Sequence, residues 1–136
     1  MKQEFKNMKK DIRNQHGAIS WAELNTKNPQ EAAKFYSKVF GWSSEENPMP
    51  DGSGTYTCFT NKEGEKVAGA MTCDKSPIQW GMYVTVDNVD ETVKACVGAG
   101  GEVVMEAFDC PEVGRMACLK DPEGATFMVI TYVSPM

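Results

Sequence analysis

Alternation of apolar and polar positions marks the first strand in "ISWAELNT", residues 19–26, where Ile19, Trp21, Glu23 and Asn25 share one face. A helical pattern follows. Asn28 supplies the cap, Pro29 the first helical position and Glu31 the third residue beyond the cap. Ala32, Phe35, Tyr36, Val39 and Phe40 recur at helical spacing, and Gly41 stops the run. Three short extended segments come next, "WSSEE", "GTYTCFT" and "KVAGAMT", separated by the turn-rich "NPMPDGSG" and "NKEG".

The same plan then repeats. "IQWGMYVT" is a second strand, and Asp87 or Asn88 caps a helix whose buried face is Val89, Val93, Cys96 and Val97, closed by Gly100 and Gly101. "EVVMEAF", "GRMACLK" and "TFMVITYV" are its three extended segments, with "DPEG" in the last turn. An offset of 59 lays Ile19 on Ile78, Trp21 on Trp80, Thr26 on Thr85 and Gly41 on Gly100. An offset of 60 lays "CFTNKEG" on "CLKDPEG", pairing Cys58 with Cys118. Two strand–helix–three-strand halves are therefore expected, module one over 17–74 and module two over 77–133, with "KSPIQ" as the junction.

Composition narrows the partners. With 136 residues, 41% of them hydrophobic, the chain suits a single domain spanning 17–136, preceded by an arm over 1–16. That arm is basic, and Phe5, Met8 and Ile12 give it a helical apolar spacing. The net charge of -5 is therefore concentrated in the acidic body, which disfavours nucleic acid and anionic membranes. No apolar run approaches the roughly 20 residues that cross a bilayer, and no signal-type segment follows the basic start, so a soluble cytoplasmic protein is expected. Cys58, Cys73, Cys96, Cys110 and Cys118 are odd in number and lack paired metal spacing, which fits reduced thiols. His16 is the one histidine, so any histidine-dependent nucleophile or metal site must use it.

The duplicated βαβββ unit, with "FYSKVFGW" closing the first helix, "VDNVDE" opening the second and "GRMACLKDPEGATF" near the end, resembles the vicinal oxygen chelate superfamily of glyoxalases, bleomycin-resistance proteins and extradiol dioxygenases. The resemblance covers residues 17–133. It implies an α+β fold in which two tandem βαβββ modules form a curved mixed sheet around a cleft, helices outside, often completed in a homodimer. Metal enzymes of the superfamily draw ligands from the first and last strands of each half. Carried over by position, these fall on Trp21, Trp80, Met128 and Ala68, none of them a hard donor, so no metal and no other cofactor is expected.

Trp21 and Trp80 are then either core fillers or aromatic walls of a ligand pocket. Glu23, beside Trp21, is the candidate general base, or else a rim carboxylate bonded to a tyrosine or an amide. Tyr56 either offers its hydroxyl to the same cleft or is a core aromatic with a wet tip, the resemblance places Met128 in that cleft, and Arg115 either holds an anionic group of a ligand or ties down its loop through Asp109 or Glu112. Two functions follow from the resemblance. One is metal-free binding of a small, partly aromatic organic molecule by Trp21, Trp80, Tyr56, Met128 and Arg115. The other is a lyase or dioxygenase reaction that uses replacement metal ligands or Glu23.

Overall fold

The computed structural model describes residues 12–49, 52, 54–72 and 76–133. The amphipathic spacing expected of Phe5 and Met8, and Cys73, lie outside the described residues. Eight strands and two helices run in the order β1 (Ile19–Asn25), α1 (Pro29–Phe40), β2 (Ser43–Pro48), β3 (Thr55–Thr60), β4 (Lys66–Met71), β5 (Gln79–Thr85), α2 (Val89–Gly98), β6 (Glu102–Cys110), β7 (Gly114–Lys120) and β8 (Thr126–Tyr132). The fold class is α+β, as the repeated pattern implies.

The chain divides into two compact units. The first comprises Trp21–Gly81, and its strands lie in the order β2-β3-β4-β1 with β1 parallel to β4. Helix α1 covers the face that carries Leu24, Phe59, Ala68 and Ala70, all buried, and contributes Ala32, Ala33 and Tyr36 to that core. The second unit comprises the described residues 12–20 and 82–133, with strands ordered β5-β8-β7-β6. Its core of Val86, Val89, Ala117, Leu119 and Val129 packs with Val93 and Cys96 of α2. Burying each large aliphatic or aromatic group contributes about 1.5–3 kcal/mol.

Local chemistry repeats in detail. Asn28 Oδ1 accepts the Glu31 N–H at 3.1 Å, and Asn88, rather than Asp87, accepts the Glu91 N–H at 3.0 Å. Each satisfies one of the amides that a helix start leaves without a partner. Gly41 ends α1 at φ 74, in the left-handed region that a side chain disfavours. Asn61 and Asp121 organise equivalent turns: Asn61 accepts two backbone N–H groups and Asp121 three. Those amide donors hold the Asp121 carboxyl below the usual carboxylate range.

These caps and turns give the register of the duplication, which agrees with the expected offset of 60 over "CFTNKEG" and differs from the expected 59 in the first strand and helix. Asn28 with Asn88 and Asn61 with Asp121 are all 60 apart, as are the core residues Leu24 and Val84, and Phe59 and Leu119. The counterpart of Trp21 is therefore Gly81, and that of Trp80 is Ser20. A bulge in β4, where Phe59 pairs with Ala68 but Thr60 with Lys66, adds one residue, so Gly69 rather than Ala68 corresponds to Met128. A one-residue slip in a strand moves every side chain to the opposite face, so the matching of Trp21 to Trp80 by residue identity gave the wrong face.

The helix stripes are also narrower than expected. Phe35, Val39 and Phe40 of α1 are 57%, 52% and 53% exposed, and Val97 of α2 is 55% exposed.

Candidate functional site

Strand alternation puts Trp21 and Glu23 of β1 on the face opposite Ala22 and Leu24, away from α1. Glu23 lies beside Gly69 of β4, and Gly69 lies beside Cys58 of β3, so these three share that helix-free face. Tyr56, two residues before Cys58, leans diagonally over Gly69 to reach β1. There the Trp21 Nε1–H donates to Tyr56 Oη at 2.8 Å, and the Tyr56 hydroxyl donates to Glu23 Oε2 at 2.8 Å. All three residues are partly buried.

The arrangement has a direction. Each proton points toward the carboxylate, so the string ends on an acceptor whose ionised form it stabilises. An indole face, a phenol and a carboxylate are thereby fixed together on one side of a sheet. Of the alternatives for Glu23, a candidate base or a rim carboxylate bonded to a tyrosine or an amide, a bond to a tyrosine is present, and Tyr56 is the tyrosine.

The second unit serves as an internal comparison. Its counterparts of Glu23, Tyr56 and Gly69 are Tyr83, Met116 and Met128; Gly81, the counterpart of Trp21, is the last residue of the first unit. Tyr83 and Met116 are 8% and 6% exposed. Met128 pairs with Tyr83 on one side and Cys118 on the other. The fold is thus satisfied by a mostly apolar set at these positions. Burial pushes the Cys118 thiol above its ordinary pKa, so it remains protonated at neutral pH.

The remaining candidates lie elsewhere. Trp80 belongs to a helix-side aromatic cluster: its Nε1–H donates to Tyr36 Oη at 3.0 Å, and its ring meets Tyr36 and Trp42 edge-on. Ala68 is buried beneath α1, where no ligand donor is possible. Arg115 holds Asp90 through two hydrogen bonds, 2.9 and 3.0 Å, and Asp109 at 3.2 Å. It ties the start of α2 to the end of β6; Asp109 was expected in this role, Asp90 was not. His16 Nδ1 accepts the Asp87 N–H at 2.9 Å. An open depression lined by residues including Pro29, Gln30, Met49 and Met71 does not include Trp21, Glu23 or Tyr56.

The Arg115 hydrogen bonds lower the Asp90 pKa below its ordinary value of 3.8. A depressed carboxyl stabilises the folded state above its unfolded pKa and ceases to do so as pH falls through the folded one. The difference in Tm between the protein and Arg115→Ala is therefore expected to be present at neutral pH and to shrink below about pH 4, and to diminish in high salt. Thermal melts at several pH values check this.

Among the described residues, no group of three or more His, Cys, Asp and Glu side chains is placed to hold a metal ion. On the helix-free faces, the first- and last-strand pairs are Glu23 with Gly69 and Tyr83 with Met128. Neither pair, a carboxylate with a glycine or a phenol with a thioether, fits a hard divalent ion by itself.

Residues 21–130 match the family described as glyoxalase-like domain. The chain belongs to this family. Among relatives of the glyoxalase-like chain is "Putative glyoxylase CFP32" of Mycobacterium tuberculosis, 40% identical over 114 residues, which cover 80% of this chain and 43% of that protein. Another is the anthracycline biosynthesis protein DnrV of Streptomyces peucetius, 33% identical, covering 83% of this chain and 46% of the relative. The chain spans less than half the length of these relatives. A Streptomyces coelicolor methylmalonyl-CoA epimerase superposes with a TM-score of 0.64 at 10% identity, covering 89% of this chain and 98% of the epimerase, and shows that the two share the fold. No helix among the described residues is long and apolar enough to cross a membrane.

Sequence reasoning missed Gly69. Its signal was available, since an isolated glycine inside a strand pattern such as "KVAGAM" marks a bulge or a close approach, and both occur in β4.

Proposed function

We propose that this glyoxalase-like chain binds a small, partly aromatic organic molecule on the helix-free face of its first unit, without a protein-bound metal. The observation that carries the reading is the directed string from Trp21 through Tyr56 to Glu23. It offers an aromatic wall together with a carboxylate acceptor, which suits a ligand presenting an O–H or N–H donor from a planar ring system. Two supports come from outside the string. The second unit folds with a mostly apolar set at the same positions, so the polar set is not demanded by the fold. A relative's naming for anthracycline biosynthesis agrees with a fused-ring ligand.

The same geometry favours a second reading, proton abstraction by Glu23 from a bound carbon or oxygen acid, because the carboxylate is the terminal acceptor of the string. In either reading Trp80 lies outside the string, bonded to Tyr36 on the helix side of the first unit, and a homodimer belongs to the proposal.

Alizarin, a planar anthraquinone with phenolic hydroxyls, is a suitable probe. Titration followed by tryptophan fluorescence is expected to give saturable binding with the same Kd before and after dialysis against a chelator. Loss of binding on chelation, restored by a divalent ion, would show that the site depends on metal.

A further inference from the structure

We infer that Gly69 is the positioning residue of this site: the missing side chain in the middle of β4 lets the Tyr56 ring pass over that strand and join Trp21 to Glu23. The inference rests on the proposed reading for its ligand consequences, but the placement of Tyr56 stands on geometry alone. A methyl group at position 69 would overlap Tyr56 Oη and Cζ and come within 2.6 Å of Cε1. The three nearest atoms all belong to this one ring, so the Tyr56 side chain is the first thing a methyl group at 69 would meet.

The backbone conformation at this position does not call for glycine. Gly69 is absent from the positive-φ residues, so its backbone conformation is one that any amino acid adopts. The corresponding residue of the second unit is Met128, which shows that a last strand of this fold carries a side chain there. In that unit the counterpart of Tyr56 is Met116, a side chain without a ring or hydroxyl. Glycine at 69 and tyrosine at 56 thus form a matched pair, one making the passage and the other filling it. The consequence is chemical: Tyr56 is held on both Trp21 Nε1 and Glu23 Oε2 at 2.8 Å, which fixes the direction of its proton and the presentation of the carboxylate.

The test compares Gly69→Ala, Tyr56→Phe, Tyr56→Ala and the double variant Tyr56→Ala/Gly69→Ala in the full chain. Circular dichroism and thermal melts report folding. The Trp21 indole N–H resonance, assigned by its disappearance in Trp21→Phe, reports the bond to Tyr56. Gly69→Ala is expected to fold, to move that resonance as Tyr56→Phe does, and to raise the alizarin Kd by about tenfold, the loss typical of a charge-assisted hydrogen bond. Adding Gly69→Ala to Tyr56→Ala is expected to leave Tm unchanged or slightly higher, because the obstructing ring is gone and glycine is a poor strand residue.

A folded Gly69→Ala with an unmoved Trp21 resonance overturns the inference. If Gly69→Ala fails to fold, the double variant decides: restored folding supports the pairing, and continued failure shows a backbone requirement and overturns it. Absence of alizarin binding to the unaltered protein defeats the ligand reading, whereas the resonance and the double variant still decide the role of Gly69.

Discussion

Phe59→Ala is expected to lower the stability of the protein by about 3–5 kcal/mol, the range for deleting a buried aromatic ring from a packed core. Phe59 is 1% exposed and sits at the centre of the first unit's core, its ring 5.3 Å from that of Trp42 and 6.1 Å from that of Tyr36. Its neighbours Ala68 and Ala70 are too small to move into the space, so most of the ring volume would remain as a cavity. Phe59→Leu keeps apolar volume and is expected to cost less, about 1–1.5 kcal/mol. Phe35→Ala is the control: the residue is 57% exposed, and loss of its ring is expected to stay within about 0.5 kcal/mol. Denaturant unfolding followed by circular dichroism and by tryptophan fluorescence measures all three. A loss below about 1 kcal/mol for Phe59→Ala would show that the α1 face is not the stabilising contact described above.

The second large effect concerns binding. Glu23→Gln is expected to weaken alizarin binding by about 10- to 100-fold, because the amide is neutral and turns one acceptor into a donor. Tyr56→Phe is expected to weaken it by about tenfold and also to lower stability by about 1–3 kcal/mol, since Trp21 Nε1 and Glu23 Oε2 both lose this partner in a partly buried setting. The two effects are not additive, because the residues belong to one string: the double variant should bind about as weakly as Glu23→Gln alone. Fluorescence titration of the three variants checks this. Unchanged affinity in Glu23→Gln would remove the carboxylate from the site.

Much of the fold was legible in the residues. Asn28, Pro29 and Gly41 bracket α1 because capping and left-handed closure are satisfied within a few residues of chain. The turns at "NKEG" and "DPEG" are equally local, each built on one side-chain oxygen and the amides that follow it. The matching of the two halves was legible only in part. Trp21 and Trp80 agree in identity, but faces are decided by strand parity, and caps and core residues show the tryptophans to be one position out of step. The β4 bulge, which makes Gly69 the counterpart of Met128, is a property of the pairing between β3 and β4 and has no local marker apart from the glycine itself.

The sequence by itself determined the α+β class, the duplication, the helix caps and the presence of Trp21 and Glu23 on one strand face, because each depends on residues close together in the chain. Only tertiary structure decided that Tyr56 joins them, that Trp80 stands instead against Tyr36 and Trp42, and that Arg115 is held by Asp90. Those outcomes depend on which strands lie side by side and in what register, and on whether the strand between leaves room for a ring to cross.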